Sequence, residues 1–313
     1  MADIFDLMII GGGPAGYTAA LYGARAGLTV GLMEKLAPGG QMGTTDMVDN
    51  YPGFPEGING FELAMKMKAG AERFGARTIS AEVTGLELSG DIKTLQTPKE
   101  VYKARTVILA TGAQPRELGL PRERELRGKG VSYCATCDGM FYRGKTVAVV
   151  GGGNTAVADA LYLSRLCEKV YVIHRRDKLR APQIQQQNLE MAGNVEFVWD
   201  SIVKELRFEE RLTGLVTEDK NTGECRELSC AGVFIAVGQV PETELFKGQV
   251  QLGEAGYVSA GEDCRTNIPG VFAAGDLRAK PLRQIVTAAA DGAVAATAAQ
   301  EYLCLLYTSD AAD

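Results

Sequence analysis

The chain has 313 residues, 46% of them apolar and 23% charged, and its 33 Lys and Arg against 39 Asp and Glu leave a net charge of −6. That length allows two domains with cores large enough to need no disulfide scaffold, and the acidic balance argues against a general nucleic-acid binder. No run approaches the roughly 18 apolar residues of a membrane-spanning helix, and the start lacks the basic region of a signal peptide, so a cytoplasmic location is expected. Glycine is in excess, 38 residues or about one in eight against a usual share of about 7%, which calls for many tight turns or close backbone approaches.

Asp6 to Ile10 is a short apolar run, predicted as a strand, that leads into Gly11-Gly-Gly-Pro-Ala-Gly16. An alanine-rich segment, Tyr17 to Ala26, follows at helical spacing and ends at Gly27, and Leu28 to Met33 is predicted as the next strand, closing on Glu34. This is a βαβ unit. Thr106-Val-Ile-Leu-Ala-Thr-Gly112 is predicted as a buried strand entering a glycine turn. A second βαβ unit starts at Thr146, with Val147 to Val150, the loop Gly151-Gly-Gly-Asn-Thr-Ala156, a helix to about Leu166 and a strand from Lys169 to Ile173. Ala231 to Gly238 closes it, and Gly270-Val-Phe-Ala-Ala-Gly-Asp276 leads late in the chain to another alanine-rich helix from about Gln284. The fold class expected is α/β, with two Rossmann-like (three-layer) nucleotide-binding domains, the second inserted into the first. Proline and glycine after strand ends place linkers near Gln114-Pro115 and Gln239-Val-Pro241, which gives a discontinuous first domain, 1–113 with 241–313, around a second domain, 114–240.

Gly11-x-Gly13-x-x-Gly16 lies between a strand and a helix and has an acid, Glu34, at the end of the following strand. The glycines allow a tight turn and a close pyrophosphate, the helix N-terminus offers unpaired N–H groups, and Glu34 would accept from ribose hydroxyls. The second loop, Gly151-x-Gly153-x-x-Ala156, is followed by a strand that ends in His174-Arg175-Arg176, with Arg180 one turn on. A carboxylate there would repel a 2′-phosphate, whereas guanidinium groups clamp one bidentately, so this site points to NADP(H) over NAD(H). His174, the chain's one histidine, fits packing beside the ribose phosphate better than proton transfer.

Of seven cysteines only Cys134 and Cys137 form a C-x-x-C, and the other five are expected to be small buried apolar residues. The pair could be half of a tetrahedral zinc site, completed by isolated cysteines or His174. Two nucleotide sites beside a dithiol are better explained as an electron path, with hydride passing from NADPH to a bound flavin and electrons then passing to a disulfide; no metal is expected.

With these features assembled, the chain resembles the bacterial low-molecular-weight thioredoxin reductases over about residues 5–303. The likeness is carried by Gly11 to Gly16, Pro38-Gly-Gly-Gln41, Asn50-Tyr-Pro-Gly53, Ala110-Thr-Gly112, Cys134-Ala-Thr-Cys-Asp-Gly139, Gly151 to Ala156, His174-Arg-Arg-Asp177, Ala274-Gly-Asp276 and Arg283-Gln284. The resemblance implies a homodimer that binds FAD and uses NADPH to reduce thioredoxin. It implies an FAD site of Gly11, Gly13, Pro14, Ala15, Gly16, Glu34, Gly40, Gln41, Asn50, Ala110, Thr111, Gly112, Gly275, Asp276, Arg283 and Gln284. Asp276 would bond the ribityl chain, and the helix from Gln284 would turn its positive N-terminal end toward the flavin ring. It implies an NADPH site of Gly151, Gly153, Asn154, Thr155, His174, Arg175, Arg176, Arg180 and Gly238. Cys137 would be the thiol nearest the flavin, Cys134 the one that attacks the partner's disulfide, and Asp138 the general acid. The high-molecular-weight disulfide reductases need a second histidine as base and carry their cysteines in the flavin domain, so that class is excluded.

A dithiol in the NADPH domain must meet the flavin, a protein disulfide must meet the dithiol, and the nicotinamide must reach the same flavin, so a hinge rotation at 114–116 and 239–241 is expected. In one respect the chain departs from the family, which commonly has two glutamates where this chain has Ala158-Asp159. Two other readings compete. One is a related flavoprotein with another donor or acceptor, ferredoxin-linked or O₂-using, against which the arginine cluster argues. The other is a non-enzymatic redox sensor, against which Asp138 beside the dithiol argues. The last ten residues, Cys304 to Asp313, match the translation of a transposon-type sequencing adapter, and the helical alanine pattern ends near Leu303, so they are expected to be a non-native tail.

Overall fold

The computed structural model of the protein describes residues 4–45 and 47–310, with side chains as far as Leu306. The chain divides into two units, one made of 1–114 and 240–313 and the other of 115–239. The segments that pass between them, Ala113–Pro115 and Gln239–Pro241, pair as a two-stranded ribbon.

The discontinuous unit is built on a seven-stranded sheet. Five strands are parallel: Arg77–Ser80, Val30–Glu34, Ile4–Ile10, Val101–Leu109 and Val271–Ala273. The first half of Val101–Leu109 also pairs with Lys93–Gln96 in an antiparallel meander that ends at Gly85–Glu87. Because strand side chains alternate between faces, Leu7 and Ile9 enter one core while Met8 and Ile10 enter the other. The first core is closed by the helices Pro14–Arg25 and Ile285–Asp310. They cross closely because small residues meet: a Cβ on Gly292 would lie 2.2 Å from the Ala15 carbonyl oxygen.

The inserted unit has a five-stranded, all-parallel sheet in the order Val195–Val198, Lys169–Ile173, Thr146–Val150, Gly232–Ile235 and Val131–Ser132. The helices Asn154–Ser164 and Gln183–Glu190 cover one face. An antiparallel sheet of Ser201–Phe208, Leu212–Asp219 and Cys225–Ser229 covers the other, packing Val203, Leu206, Leu215 and Leu228 on Ala148, Val150 and Val233. The inserted unit is thus three-layered around a parallel sheet, and the discontinuous unit has a mostly parallel sheet with a core on each face, the Rossmann-like arrangement expected from the two βαβ patterns.

Three details differ from the sequence reading. The first helix starts at Pro14, because proline's fixed φ and missing N–H suit the first helical position. Cys225 is exposed, since it sits on a solvent-facing edge strand, and Cys304 is exposed too; only Cys167, Cys230 and Cys264 are buried. Although the alanine pattern ends near Leu303, the last helix itself runs on to Asp310, because residues 304–310 contain no glycine or proline to end a helix that is already formed. Among the described residues no helix is long and apolar enough to cross a membrane.

Candidate active site

In the discontinuous unit, the strand Ile4–Ile10 enters the first glycine loop at Gly11, whose φ of +110° is open to glycine and strained for other residues. A Cβ on Gly16 would fall 1.8 Å from the Gly11 carbonyl oxygen, so only glycine lets the helix start this close to the turn. Glu34 closes the loop from the next strand, its Oε2 accepting from the Gly12 N–H at 2.7 Å and its Oε1 from the Leu36 N–H at 3.0 Å. Each carboxylate oxygen keeps lone-pair capacity for a ribose hydroxyl. The helix begins on Gly13, which brings no side-chain cap, and its first turn holds no acid. By contrast the helix Gly60–Glu72 is capped by Asn59, whose Oδ1 accepts from the Phe61 and Glu62 N–H groups. An uncapped first turn beside open space at Gly13 suits an anionic ligand.

The same unit gathers the other residues expected around a flavin. Ala110 follows the central strand, its N–H donating to the Ile10 carbonyl at 2.9 Å, and Thr111 Oγ1 donates to the Glu242 carbonyl at 2.6 Å. The Gly112 carbonyl accepts from the Glu242 N–H at 3.0 Å, and Gln41 Nε2 donates to the Ala113 carbonyl from the turn after Gly40. Asn50 Nδ2 donates to Gln284 Oε1 at 2.9 Å across 234 positions of sequence. Arg283 donates from Nε to the Asp276 carbonyl at 3.3 Å and lies over the Tyr257 ring. Asp276 itself is largely buried, and burial raises its carboxyl above the usual aspartate range against the lowering influence of Lys280 and Arg283. Its Oδ1 is buried without a hydrogen-bond partner.

Beneath this site lies a cluster the sequence reading missed. Asp291, buried inside the last helix, accepts from Lys280 Nζ at 2.7 Å, Arg278 Nη1 at 2.9 Å and the Gly275 N–H at 2.9 Å. It therefore fixes the turn that presents Asp276. An acid within an alanine-rich helix was the available signal, since a charge on an otherwise apolar stripe demands partners.

In the inserted unit, the second glycine loop has the same construction. Gly151 has a φ of +150°, Gly153 starts the helix Asn154–Ser164 without a side-chain cap, and Asn154 and Thr155 are exposed at its first turn. His174 is buried directly against the loop: a Cβ on Gly152 would lie 2.3 Å from the imidazole ring. Burial, then the nearby Arg180, Arg175 and Arg176, outweigh a backbone hydrogen bond and hold the imidazole below its ordinary pKa, so it packs as a neutral ring. The Arg180 N–H donates to the Gly152 carbonyl at 2.7 Å, tying the basic segment to the loop. The side chains of Arg175, Arg176 and Arg180 are exposed, and among the described residues none is ion-paired to a carboxylate. Gly238 ends the neighbouring strand region, and its carbonyl accepts from the Arg116 N–H at 2.9 Å.

Cys134 and Cys137 are in the same unit and joined by a disulfide, their Cα atoms 5.3 Å apart. Cys134 is the N-cap of the single helical turn Ala135–Asp138 and Cys137 lies within it, and the turn follows the edge strand Val131–Ser132. Both are partly buried, with the exposed Thr136 between them. Asp138 Oδ2 accepts from Ser132 Oγ at 2.6 Å, and the same Ser132 oxygen accepts from the Cys134 N–H at 3.1 Å. Ser132 was not read from the sequence, where no motif marks it. Among the described residues no group of three or more His, Cys, Asp or Glu is arranged to hold a metal ion.

The profile of the family described as "Pyridine nucleotide-disulphide oxidoreductase" matches residues 5–292. A thioredoxin reductase of Streptomyces clavuligerus is 49% identical over 314 residues, spanning 99% of this chain and 97% of that protein. One of Bacillus subtilis (strain 168) is 46% identical over 301 residues, spanning 96% of this chain and 95% of that protein. The crystal structure of thioredoxin reductase from Streptococcus pyogenes MGAS5005 superposes with a TM-score of 0.90 at 45% identity, covering 97% of this chain and 99% of that one.

Proposed function

The chain belongs to the pyridine nucleotide-disulphide oxidoreductases and, within them, to the thioredoxin reductases, and on that premise we propose how its own residues divide the work of reducing thioredoxin with NADPH through FAD. The observation that carries the reading is the placing of the Cys134–Cys137 disulfide in the same unit as the arginine-bearing glycine loop. The other glycine loop stands in the discontinuous unit beside Asp276.

The residues fit both cofactors. The unpartnered, buried Oδ1 of Asp276 suits a ribityl hydroxyl, and the uncapped first turns at Gly13 and Gly153 suit two pyrophosphates. In this reading Gly11, Gly13, Pro14, Ala15, Gly16 and Glu34 hold the adenosine diphosphate half of FAD. Gly40, Gln41, Asn50, Ala110, Thr111, Gly112, Gly275, Asp276, Arg283 and Gln284 line the remainder. Gly151, Gly153, Asn154, Thr155 and Gly238 hold NADPH, with His174 packed beneath it and Arg175, Arg176 and Arg180 on the 2′-phosphate. When bound, NADPH supplies a hydride and FAD relays its two electrons to a disulfide. Cys137 faces that relay, Cys134 attacks the disulfide of thioredoxin, and Asp138 supplies a proton to a released thiolate.

The 1–114 and 240–313 unit is thus the FAD domain, and 115–239 the NADPH domain. The proposal extends to a cytoplasmic homodimer, which the likeness to bacterial enzymes supports, and to a rotation of the domains between half-reactions. The purified protein is expected to be yellow and to sustain NADPH oxidation beyond a single reduction of its own flavin and disulfide only when oxidised thioredoxin is present. Cys134→Ser should retain NADPH-driven bleaching of the flavin absorbance and lose thioredoxin reduction by a factor of about a thousand or more, as expected for removing a nucleophile. Full thioredoxin reduction by that variant overturns the assignment of the dithiol.

A further inference from the structure

We infer that Ser132 is a positioning residue for the proton transfer that accompanies opening of the disulfide, holding Asp138 by a hydroxyl that can serve the carboxyl in both of its protonation states. This rests on the reading of Asp138 as proton donor given above. Ser132 is 3% exposed and ends the edge strand Val131–Ser132, where it pairs with Phe234 of the parallel sheet. Its oxygen is therefore fixed by backbone and not by a flexible stem.

Three contacts meet at that oxygen. It accepts from the Cys134 N–H at 3.1 Å, it lies 2.6 Å from Asp138 Oδ2, and it lies 3.3 Å from the Cys134 carbonyl oxygen. A hydroxyl has one hydrogen to donate and two lone pairs to accept with. With Asp138 protonated, its O–H donates to one lone pair of Ser132, the Cys134 N–H uses the other, and the Ser132 hydrogen turns to the Cys134 carbonyl. With Asp138 ionised, the Ser132 hydrogen turns to Oδ2. Both states leave every group at Ser132 satisfied, which an apolar side chain could not do, and a buried polar group left unmatched is costly.

The chemistry balances around this hinge. Two electrons originating in NADPH break the Cys134–Cys137 bond and leave two negative charges on the two sulfurs. The proton of Asp138 passes to one sulfur, giving a thiol, a thiolate and a carboxylate, and the Ser132 hydrogen swings to that carboxylate. Tyr142 follows Asp138 in the next turn and has its own pKa raised by burial and then by the Asp138 charge, with Arg211 and Cys230 facing the same ring. The helix Asn154–Ser164 brings the Tyr162 ring and Leu163 against Gly139.

Because the hydrogen bond Ser132 donates to the ionised carboxylate is stronger than the neutral one it accepts from the protonated acid, its removal disfavours the ionised form more. In the full-length, FAD-loaded enzyme, rapid-mixing measurements of thioredoxin reduction across pH should show the Asp138-dependent ionisation displaced upward by about one pH unit in Ser132→Ala, the size of one charge-assisted hydrogen bond. Ser132→Thr, which keeps the hydroxyl, should follow the parent profile. Asp138→Glu, which carries the carboxyl past Ser132 without touching the strand, should also be displaced upward. In an Asp138→Asn background, Ser132→Ala should change the rate by less than about twofold. Flavin reduction by NADPH should be the same in the parent and in Ser132→Ala, and it reports that both domains are folded. A Ser132→Ala profile that superimposes on the parent, while Asp138→Asn is crippled, overturns the role of Ser132. An Asp138→Asn enzyme with full activity overturns instead the reading of Asp138 as proton donor.

Discussion

Burial raises the carboxyl of Asp276 above the ordinary aspartate value of 3.8, and the cations of Lys280 and Arg283 oppose that shift without cancelling it. A folded-state pKa above the unfolded one means that the folded protein holds the proton longer. Stability is therefore greatest below about pH 3.8 and falls as pH rises through the folded pKa. Once ionised, the unpartnered carboxylate thus destabilises the flavin-free protein, and the natural compensation is a hydroxyl donor from the ligand. Asp276→Asn is expected to raise the Tm of the flavin-free protein at pH 7.5. It should weaken FAD binding by about tenfold or more, the worth of a hydrogen bond to a charged acceptor. Thermal unfolding and FAD titration of the same preparation check both signs, and unchanged FAD affinity would remove Asp276 from the site. Glu34 was legible because it sits at a fixed offset from a glycine turn, and Asp276 because the family resemblance carries the Gly275-Asp276 pair. Ser132 was not, because its importance lies in reaching Asp138 six positions away across a turn, which no spacing rule encodes.

The parallel strands and their helices were legible as elements because strands buried on both faces read as unbroken apolar runs, as in Val147 to Val150 and Thr106 to Leu109. The meander Gly85–Gln96 and the antiparallel sheet Ser201–Ser229 were not, since each of their strands faces solvent on one side. Cys225–Ser229, for example, buries only Leu228. The helix Asn154–Ser164 carries the chain's departure from the family, Ala158-Asp159, and here the element has a measurable consequence. Ala158 is exposed, whereas Asp159 is turned partly inward and burial pushes its carboxyl up to about 7. The folded pKa exceeds the ordinary 3.8, so stability contributed at low pH is lost as pH climbs from about 4 to about 7 and stays lost above that. Asp159→Asn is therefore expected to match the parent in Tm near pH 4 and to exceed it by a margin that grows to pH 7 and then levels. A margin independent of pH would show that the carboxyl does not titrate in that window.

At the scale of the molecule, the chain leaves one domain at Gln114 and returns at Val240, and the two crossing segments are paired strands. Two crossings in one short ribbon are a mechanical arrangement that lets a domain turn as a body, since few residues must change φ and ψ. The proposed division of labour calls for such a turn. On the proposed assignment the dithiol and the NADPH loop belong to one domain and the FAD loop to the other, while both the nicotinamide and the disulfide must address one flavin. If the rotation is obligatory, a covalent crosslink between the domains, made without cysteine chemistry, should lower steady-state thioredoxin reduction to background while leaving one half-reaction intact in a single turnover. Cleaving the crosslink should restore turnover, which separates locking from damage. Rapid-mixing absorbance would show which half-reaction survives. A crosslinked enzyme that turns over at the parent rate would mean that both half-reactions share one arrangement, and the rotation would have to be abandoned while the residue assignments stood.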